Sequence, residues 1–167
     1  MFDFTTIEVT DKEQLYDQIN VYLKGLVSEE SDWLAGISNS CALLYQMIPN
    51  LNWAGFYLWK ENQLVLGPFQ GKPACFRINF GKGVCGTAAK ERKVQVVEDV
   101  ELFPGHIACD SESRSEIVVP IIKDDRLIGV LDIDSPNKAN FDEVDAKGLI
   151  AFVDALIKYL EWPDYFV

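Results

Sequence analysis

Four cysteines and a single histidine are the residues of this sequence best suited to chemistry. The histidine, His106, stands in the segment Gly-His-Ile-Ala-Cys-Asp at residues 105–110, which also contains Cys109. Cys75 and Cys85 precede it in segments bounded by glycine and proline. A thiolate is a good nucleophile and a thiol is reversibly oxidised, so these three cysteines indicate nucleophilic or redox chemistry centred on Cys109.

A second chemical group is the pair Asp132 and Asp134, which ends a strongly apolar predicted strand. Strand alternation places both side chains on one face, directly beyond the apolar residues 127–131. Carboxyl groups packed together in a poorly solvated site retain a proton near neutral pH and can act as acids. The plain alternative is a solvated strand end, with Glu116 only a residue at the start of the preceding strand.

Other roles are open for some of these residues. Cys75, Cys85, Cys109 and His106 are the number and kind of ligands that a structural zinc site takes, although their spacing lacks paired Cys-x-x-Cys knuckles. His106 is either a second acid or a residue that packs the loop. Cys41 differs from the other cysteines because it lies on the apolar face of a predicted helix, where a free cysteine is a small hydrophobic residue.

Composition limits the class of protein. The chain has 167 residues, 49% of them hydrophobic, which is enough for one core, so we predict a single domain over residues 1–167. The net charge of -11 disfavours nucleic acid and anionic membranes as partners. No basic leader and no membrane-spanning apolar run is apparent, so we expect a soluble, cytoplasmic protein. Cysteines that pair in that compartment usually do so transiently.

Hydrophobic periodicity predicts an α+β fold with a mostly antiparallel central sheet, helices on one face and the ligand pocket under loops on the other. The helices at about 11–48 come first, the sheet and active-site loops span about 52–135, and a C-terminal helix spans about 141–161. A serine among residues 28–31 is the predicted N-cap of the second helix. In finer detail, the pattern predicts a hairpin over 52–67, a loop at 67–73, a strand at 74–78, a helix after the glycine-rich turn at 81–86, a strand at 94–97, a polar loop at 98–114 and a closing hairpin over 115–134.

Two stretches permit both a ligand-binding and a structural interpretation. Strand alternation places Trp53, Gly55 and Tyr57 on one face, where the glycine would leave a gap for an apolar ligand tail between two rings. The alternative is ordinary core aromatics. The glycine-rich approach to the helix at 81–90 could hold a carboxylate or phosphate at the helix N-terminus, but it matches no nucleotide-binding motif.

Six blocks of the sequence together resemble the free methionine-R-sulfoxide reductases of the GAF-domain family. The cysteines also keep the family's spacing, with nine residues between Cys75 and Cys85 and twenty-three between Cys85 and Cys109. The blocks are Trp-Ala-Gly-Phe-Tyr at 53–57, Gly-Pro-Phe-Gln-Gly at 67–71, Gly-Val-Cys-Gly-Thr at 83–87, Gly-His-Ile-Ala-Cys-Asp at 105–110, Ser-Glu-Ile-Val at 115–118 and Gly-Val-Leu-Asp-Ile-Asp at 129–134.

The resemblance implies reduction of the R epimer of free L-methionine sulfoxide by a cytosolic homodimer that thioredoxin restores, without a metal or organic cofactor. It implies that Cys109 attacks the substrate, that Cys75 resolves the oxidised Cys109, and that Cys85 is an auxiliary thiol. It further implies a substrate site made of the carboxylates and the aromatic pocket wall, namely Glu116, Asp132, Asp134, Trp53 and Tyr57. A ligand-sensing GAF module without catalysis is the rival interpretation.

The proposed contact of Glu116 and Asp134 with one ligand makes a geometric demand on the closing hairpin. A two-residue turn at Asp124 and Asp125 in unbroken register would pair Glu116 with Ile133, and would point Glu116 away from the aspartates. We therefore predict an odd-length loop or a one-residue bulge, with Pro120 as a plausible place for it. That disturbance would pair Glu116 opposite or nearly opposite Asp134.

Overall fold

The computed structural model describes residues 11–163, which form a six-stranded antiparallel sheet with helices packed against it. The strand order is β3-β2-β1-β6-β5-β4, so the predicted α+β fold with an antiparallel sheet is confirmed. The helices are α1 (Lys12–Glu29), α2 (Trp33–Met47), α3 (Gly83–Glu91) and α4 (Glu143–Tyr159). The strands are β1 (Trp53–Lys60), β2 (Gln63–Gly71), β3 (Arg77–Asn79), β4 (Gln95–Val97), β5 (Ser115–Lys123) and β6 (Arg126–Ser135).

Helices α2 and α4 pack against one face of the sheet, and α1 packs on these two helices, so that the apolar stripes of all three helices share one core. Ile19 and Leu23 of α1 are fully buried, as the helical spacing of apolar residues predicts. The predicted serine cap of α2 is wrong: Asp32 accepts the N–H of Ala35 at 2.8 Å, because the helix begins one residue later than a Ser31 cap requires. Cys41 is buried in this core, as predicted.

The aromatic hairpin β1-β2 is longer than the sequence predicted. Residues 67–71 were expected in a loop, but they continue β2 and pair with β1 as far as the Trp53 and Gly71 partners. The predicted strand at 74–78 is correspondingly shorter, since only Arg77–Asn79 pairs with β2. Pro73 has no N–H to donate to a ladder, and Cys75 lies in the irregular segment that follows it.

The closing hairpin β5-β6 contains the predicted bulge. Asp124 and Asp125 form its two-residue turn with positive φ values of 48° and 60°. The register then shifts between Ile121 and Ile122, which leaves Ile128 of β6 without a partner. Glu116 consequently pairs with Asp134, as predicted, and the irregularity lies one residue beyond Pro120.

The other face of the sheet supports a second, smaller apolar cluster, and α3 packs there against β5 and β6. Alternation along β6 sends Leu131 and Ile133 into the helical core and leaves Asp132 and Asp134 on this second face. Within residues 11–163, no helix combines the length and apolar character needed to cross a membrane. The expectation that the first residues contain no leader concerns positions outside this range.

Candidate active site

Cys75 and Cys109 are joined by a disulfide bond across 34 positions of sequence. Their Cα atoms are 5.4 Å apart, inside the ~4.4 to 6.8 Å range that a disulfide needs. Cys75 precedes β3, and Cys109 lies in the loop before β5. The Tyr57 hydroxyl donates a hydrogen bond to the Cys75 carbonyl at 3.1 Å, which fixes the backbone of the Cys75 segment to β1. The structure thus contains the cysteine pairing that the resemblance implied.

The carboxyl groups of Glu116, Asp132 and Asp134 lie together on the α3 face of the sheet, beside the disulfide. Glu116 and Asp132 are each only 6% exposed. Burial, reinforced by the neighbouring acids, raises the pKa of Glu116 and of Asp134 well above their usual range. Burial raises the pKa of Asp132 to about 6. The cluster therefore holds protons near neutral pH, which contradicts the solvated strand end considered above.

Cys85 is part of this buried cluster. Its thiol donates to Oε1 of Glu116 at 3.8 Å, and burial next to Asp132 and Glu116 raises the thiol pKa well above its usual range. A protonated, enclosed thiol is a poor nucleophile. Ligand atoms of Cys85, Glu116 and Asp132 lie within 4.8 Å of one another. The four-ligand zinc alternative is wrong for this state, because the Cys75 and Cys109 sulfurs are bonded to each other.

His106 borders the carboxyl cluster from the loop that contains Cys109. Its Nε2 lies 3.7 Å from Oε2 of Glu116, and burial lowers the imidazole pKa. A neutral imidazole beside a protonated carboxyl is a polar contact and not an ion pair, so the short distance adds little stability. The contact leaves both roles considered for His106 open.

The disulfide, the carboxyl cluster and the loop line one small cleft of about 30 Å³. Oδ1 of Asp132 is buried without a hydrogen-bond partner among the described residues. This atom can accept a hydrogen bond from a bound group, for example an ammonium. The polar lining of the cleft includes Cys85, His106, Cys109, Glu116, Asp132 and Asp134.

The gap at Gly55 that the ligand-binding interpretation required is absent. A β-carbon at position 55 would lie 2.4 Å from Cβ of Phe69, so this ring from β2 fills the space. Trp53 stacks on Phe69 and on Tyr57, with ring centroids 5.4 Å and 5.8 Å apart. Trp53 and Tyr57 are buried in the second apolar cluster, so the alternative of ordinary core aromatics describes this stretch. Nothing local in β1 indicates that Phe69 pairs across Gly55. Trp53 and Tyr57 instead line a small cavity of about 10 Å³ that is shared with Cys109, Asp132 and Asp134.

Asn52 is a site residue that the sequence did not reveal. Its Nδ2 donates to Oδ2 of Asp110 at 3.1 Å and to Oγ of Ser113 at 3.0 Å, and its backbone N–H donates to the Asp134 carbonyl at 3.1 Å. The asparagine therefore ties the loop of Cys109 to the end of β6. Only its place directly before the aromatic strand could have drawn attention to it.

Comparison with known proteins shows which family the chain resembles. A model of the GAF domain matches residues 42–156. The free methionine-R-sulfoxide reductase of Escherichia coli (strain K12) is 48% identical over 155 residues, which cover 93% of this chain and 94% of that protein. The structure of the Neisseria meningitidis enzyme of the same name, in complex with its substrate, superposes with a TM-score of 0.89 at 46% identity and covers 92% of each chain. The reduced form of fRMsr of Staphylococcus aureus gives a TM-score of 0.86 at 51% identity, covering 95% of this chain and 100% of that one.

The antiparallel sheet, with a ligand cleft on the face opposite its main helices, is a GAF fold. Relatives with nearly half their residues identical over almost the whole chain narrow the assignment further. The chain belongs to the GAF-domain family of free methionine-R-sulfoxide reductases, which are oxidoreductases.

Proposed function

We propose that this protein reduces the R epimer of free L-methionine sulfoxide to L-methionine by thiol chemistry. The observation that supports this most strongly is the opening of one cleft onto both a sulfur of the Cys75–Cys109 disulfide and a buried carboxyl cluster that retains protons near neutral pH. Sulfoxide reduction needs a nucleophile for sulfur and a proton for the departing oxygen, and this cleft offers both.

The reaction begins with the protein reduced. The Cys109 thiolate attacks the sulfoxide, a carboxyl of the cluster protonates the oxygen, methionine leaves, and Cys109 becomes a sulfenic acid. The Cys75 thiol then attacks the sulfenic sulfur, a water molecule leaves, and the disulfide forms. A Cα separation of 5.4 Å supports this step, because no backbone movement is needed to bond the two sulfurs.

The substrate is held through its own charges. Its ammonium binds among Glu116, Asp132 and Asp134, which supplies the donor that Oδ1 of Asp132 lacks. Trp53 and Tyr57 form the pocket wall, and the first turn of α3, which borders the cleft at Gly83, offers N–H groups toward the substrate carboxylate. A peptide-bound methionine has no free ammonium, so selection for the free amino acid follows.

Thioredoxin reduces the disulfide and completes the cycle. No metal or organic cofactor takes part, and Cys85 assists as an auxiliary thiol. We place the enzyme in the cytoplasm as a homodimer of single-domain chains of residues 1–167, where the cellular reductants keep thiols reduced between turnovers.

The test is incubation of the reduced protein with the separated R and S epimers of free methionine sulfoxide and dithiothreitol, with measurement of methionine. We expect methionine from the R epimer only, and the loss of two titratable thiols in a single turnover without reductant. The rival sensor interpretation predicts binding without methionine and without loss of thiols. That outcome would reject the proposed reaction.

A further inference from the structure

Phe76 is the most exposed large apolar residue among those that the structure describes. Its side chain is 83% exposed although it directly follows Cys75 of the disulfide. Its carbonyl accepts the N–H of Leu66 at 3.0 Å, so the backbone is anchored on β2 while the ring extends into solvent. Ile107, two residues before Cys109, is 39% exposed at the rim of the cleft, which it also lines. Single exposed apolar residues are common, but these two flank the bond that another molecule must reduce.

The two sulfurs of the disulfide are not equivalent. Cys109 lines both the carboxyl cleft and the smaller cavity beside Trp53, whereas Cys75 lines neither. Both cysteines are half-buried, and Cys75 is the one whose sulfur a thiol could reach without entering either cavity. Phe76 follows Cys75 directly in sequence and immediately precedes the edge strand β3.

We propose that Phe76 and Ile107 form the docking surface for a dithiol protein, whose thiolate attacks the Cys75 sulfur from outside the cleft. The proposal rests on the proposed function, because it concerns the step that restores the reduced enzyme. A small thiol needs only access to the sulfur. A protein must also bury surface to hold its thiol in line, and exposed apolar side chains beside the disulfide supply that surface. The structure contains the disulfide, so this is the surface that the reductant meets.

The disulfide is reduced in two thiol–disulfide exchange steps. The partner's first thiolate bonds to Cys75, the Cys75–Cys109 bond breaks, and Cys109 leaves as a thiolate into the substrate cleft. The partner's second thiol then attacks its own sulfur in the mixed disulfide, and Cys75 is released. Two electrons pass from the dithiol, which becomes a disulfide. Attack at Cys75 thus returns Cys109 in the form that the next substrate needs.

The first experiment compares reductants on the Phe76→Ser variant. We expect kcat/KM for thioredoxin to fall about tenfold, with turnover in dithiothreitol unchanged, because only the protein reductant uses the ring. Val21→Ser is the matched control, since Val21 is 66% exposed on α1, on the other face of the sheet. Equal loss with both reductants, or no loss with thioredoxin, would overturn the proposal. A wild-type protein inactive in dithiothreitol would instead reject the proposed function.

The second experiment identifies the attacked sulfur. The oxidised protein is mixed with a thioredoxin whose second active-site cysteine is replaced by serine, and the trapped mixed disulfide is mapped by mass spectrometry. We expect the bond at Cys75, with less trapped complex for Phe76→Ser. A bond at Cys109 would overturn the assignment. A change in the oligomeric state of Phe76→Ser, measured by light scattering, would show that a second copy of this chain covers the ring, and would also overturn it.

Discussion

Glu116 and Asp134 are direct cross-strand partners in the hairpin β5-β6, and their carboxyl groups share the face of the sheet that forms the cleft. Lys123 and Arg126 pair next to the turn. If the ladder continued from this pair without a bulge, Glu116 would lie opposite Ile133. The unpaired Ile128 changes the register by one residue and turns Glu116 toward the aspartates. One additional residue in the strand therefore builds the acid cluster.

Replacement of Glu116 tests the function of that cluster. Glu116→Gln keeps the shape but removes an acid and an ammonium ligand, so we expect the single-turnover rate of methionine formation to fall by about 100-fold. Rapid quench and chromatography would measure it. Glu112→Gln, whose side chain is 63% exposed, is the control and should behave like wild type. A near-normal rate for Glu116→Gln would remove Glu116 from the reaction.

Substitutions of the two disulfide cysteines should block the catalytic cycle at different steps. Cys109→Ser is expected to abolish methionine formation. Without reductant, Cys75→Ser should still yield about one methionine per enzyme, because sulfenic acid formation precedes its resolution. Methionine analysis together with the intact mass of the protein would separate the two cases. Near-normal turnover by Cys109→Ser would show that another residue is the nucleophile.

Cys41 should affect stability and not catalysis. It is 1% exposed, its thiol donates to the Pro68 carbonyl at 3.1 Å, and burial raises its pKa to about 12. Cys41→Ala leaves a small cavity, so we expect a loss of about 1 kcal/mol in the free energy of unfolding by urea. Its first-turnover rate should equal that of wild type. Loss of the first turnover in a folded Cys41→Ala protein would contradict this packing role.

Stability should fall as the pH rises through the titration of Asp132. Its pKa is raised from 3.8 to about 6 in the folded protein, so between these values the folded state binds more protons than the unfolded one. Asp132→Asn removes this dependence and should be more stable than wild type at pH 8, with the difference disappearing near pH 4. Denaturant unfolding of the oxidised protein at each pH would measure it.

The matched control for this pH series is Asp124→Asn, at an exposed turn position with φ 48° that asparagine also tolerates. Its stability should follow wild type over the whole range. An Asp132→Asn protein less stable than wild type at pH 8 would show that Asp132 is not an unfavourable buried charge.

Asn52 should influence the reaction rate because it positions the loop that contains Cys109. Asn52→Ala loses the hydrogen bonds to Asp110 and Ser113, so the loop with Cys109 becomes looser and we expect the single-turnover rate to fall about tenfold. Hydrogen exchange of residues 109–113 should rise in parallel. Asn137→Ala, at an exposed position, is the control. An unchanged rate would mean that the loop keeps its geometry without Asn52.

The structural features that could be predicted from the sequence depend on local periodicity, or on the requirement that two side chains contact one ligand. Ile19 and Leu23 mark the buried side of α1 by their spacing, and a shared ligand for Glu116 and Asp134 demanded the bulge. The features that did not follow depend on partners distant in sequence. Phe69 fills the space at Gly55 from the neighbouring strand, and Asn52 reaches Asp110 and Ser113 across about sixty residues. No local pattern encodes such contacts.

The disulfide spans a segment of 34 positions that contains β3, α3 and β4. Closing a loop of that length restricts the unfolded chain by about 3 to 4 kcal/mol, so the oxidised form should resist heat and proteolysis better than the reduced form. Each catalytic cycle would then convert the protein between a more stable oxidised form and a less stable reduced form. The lifetime of the protein in a cell would thereby depend on the balance between its oxidant and its reductant, independently of how fast either reacts.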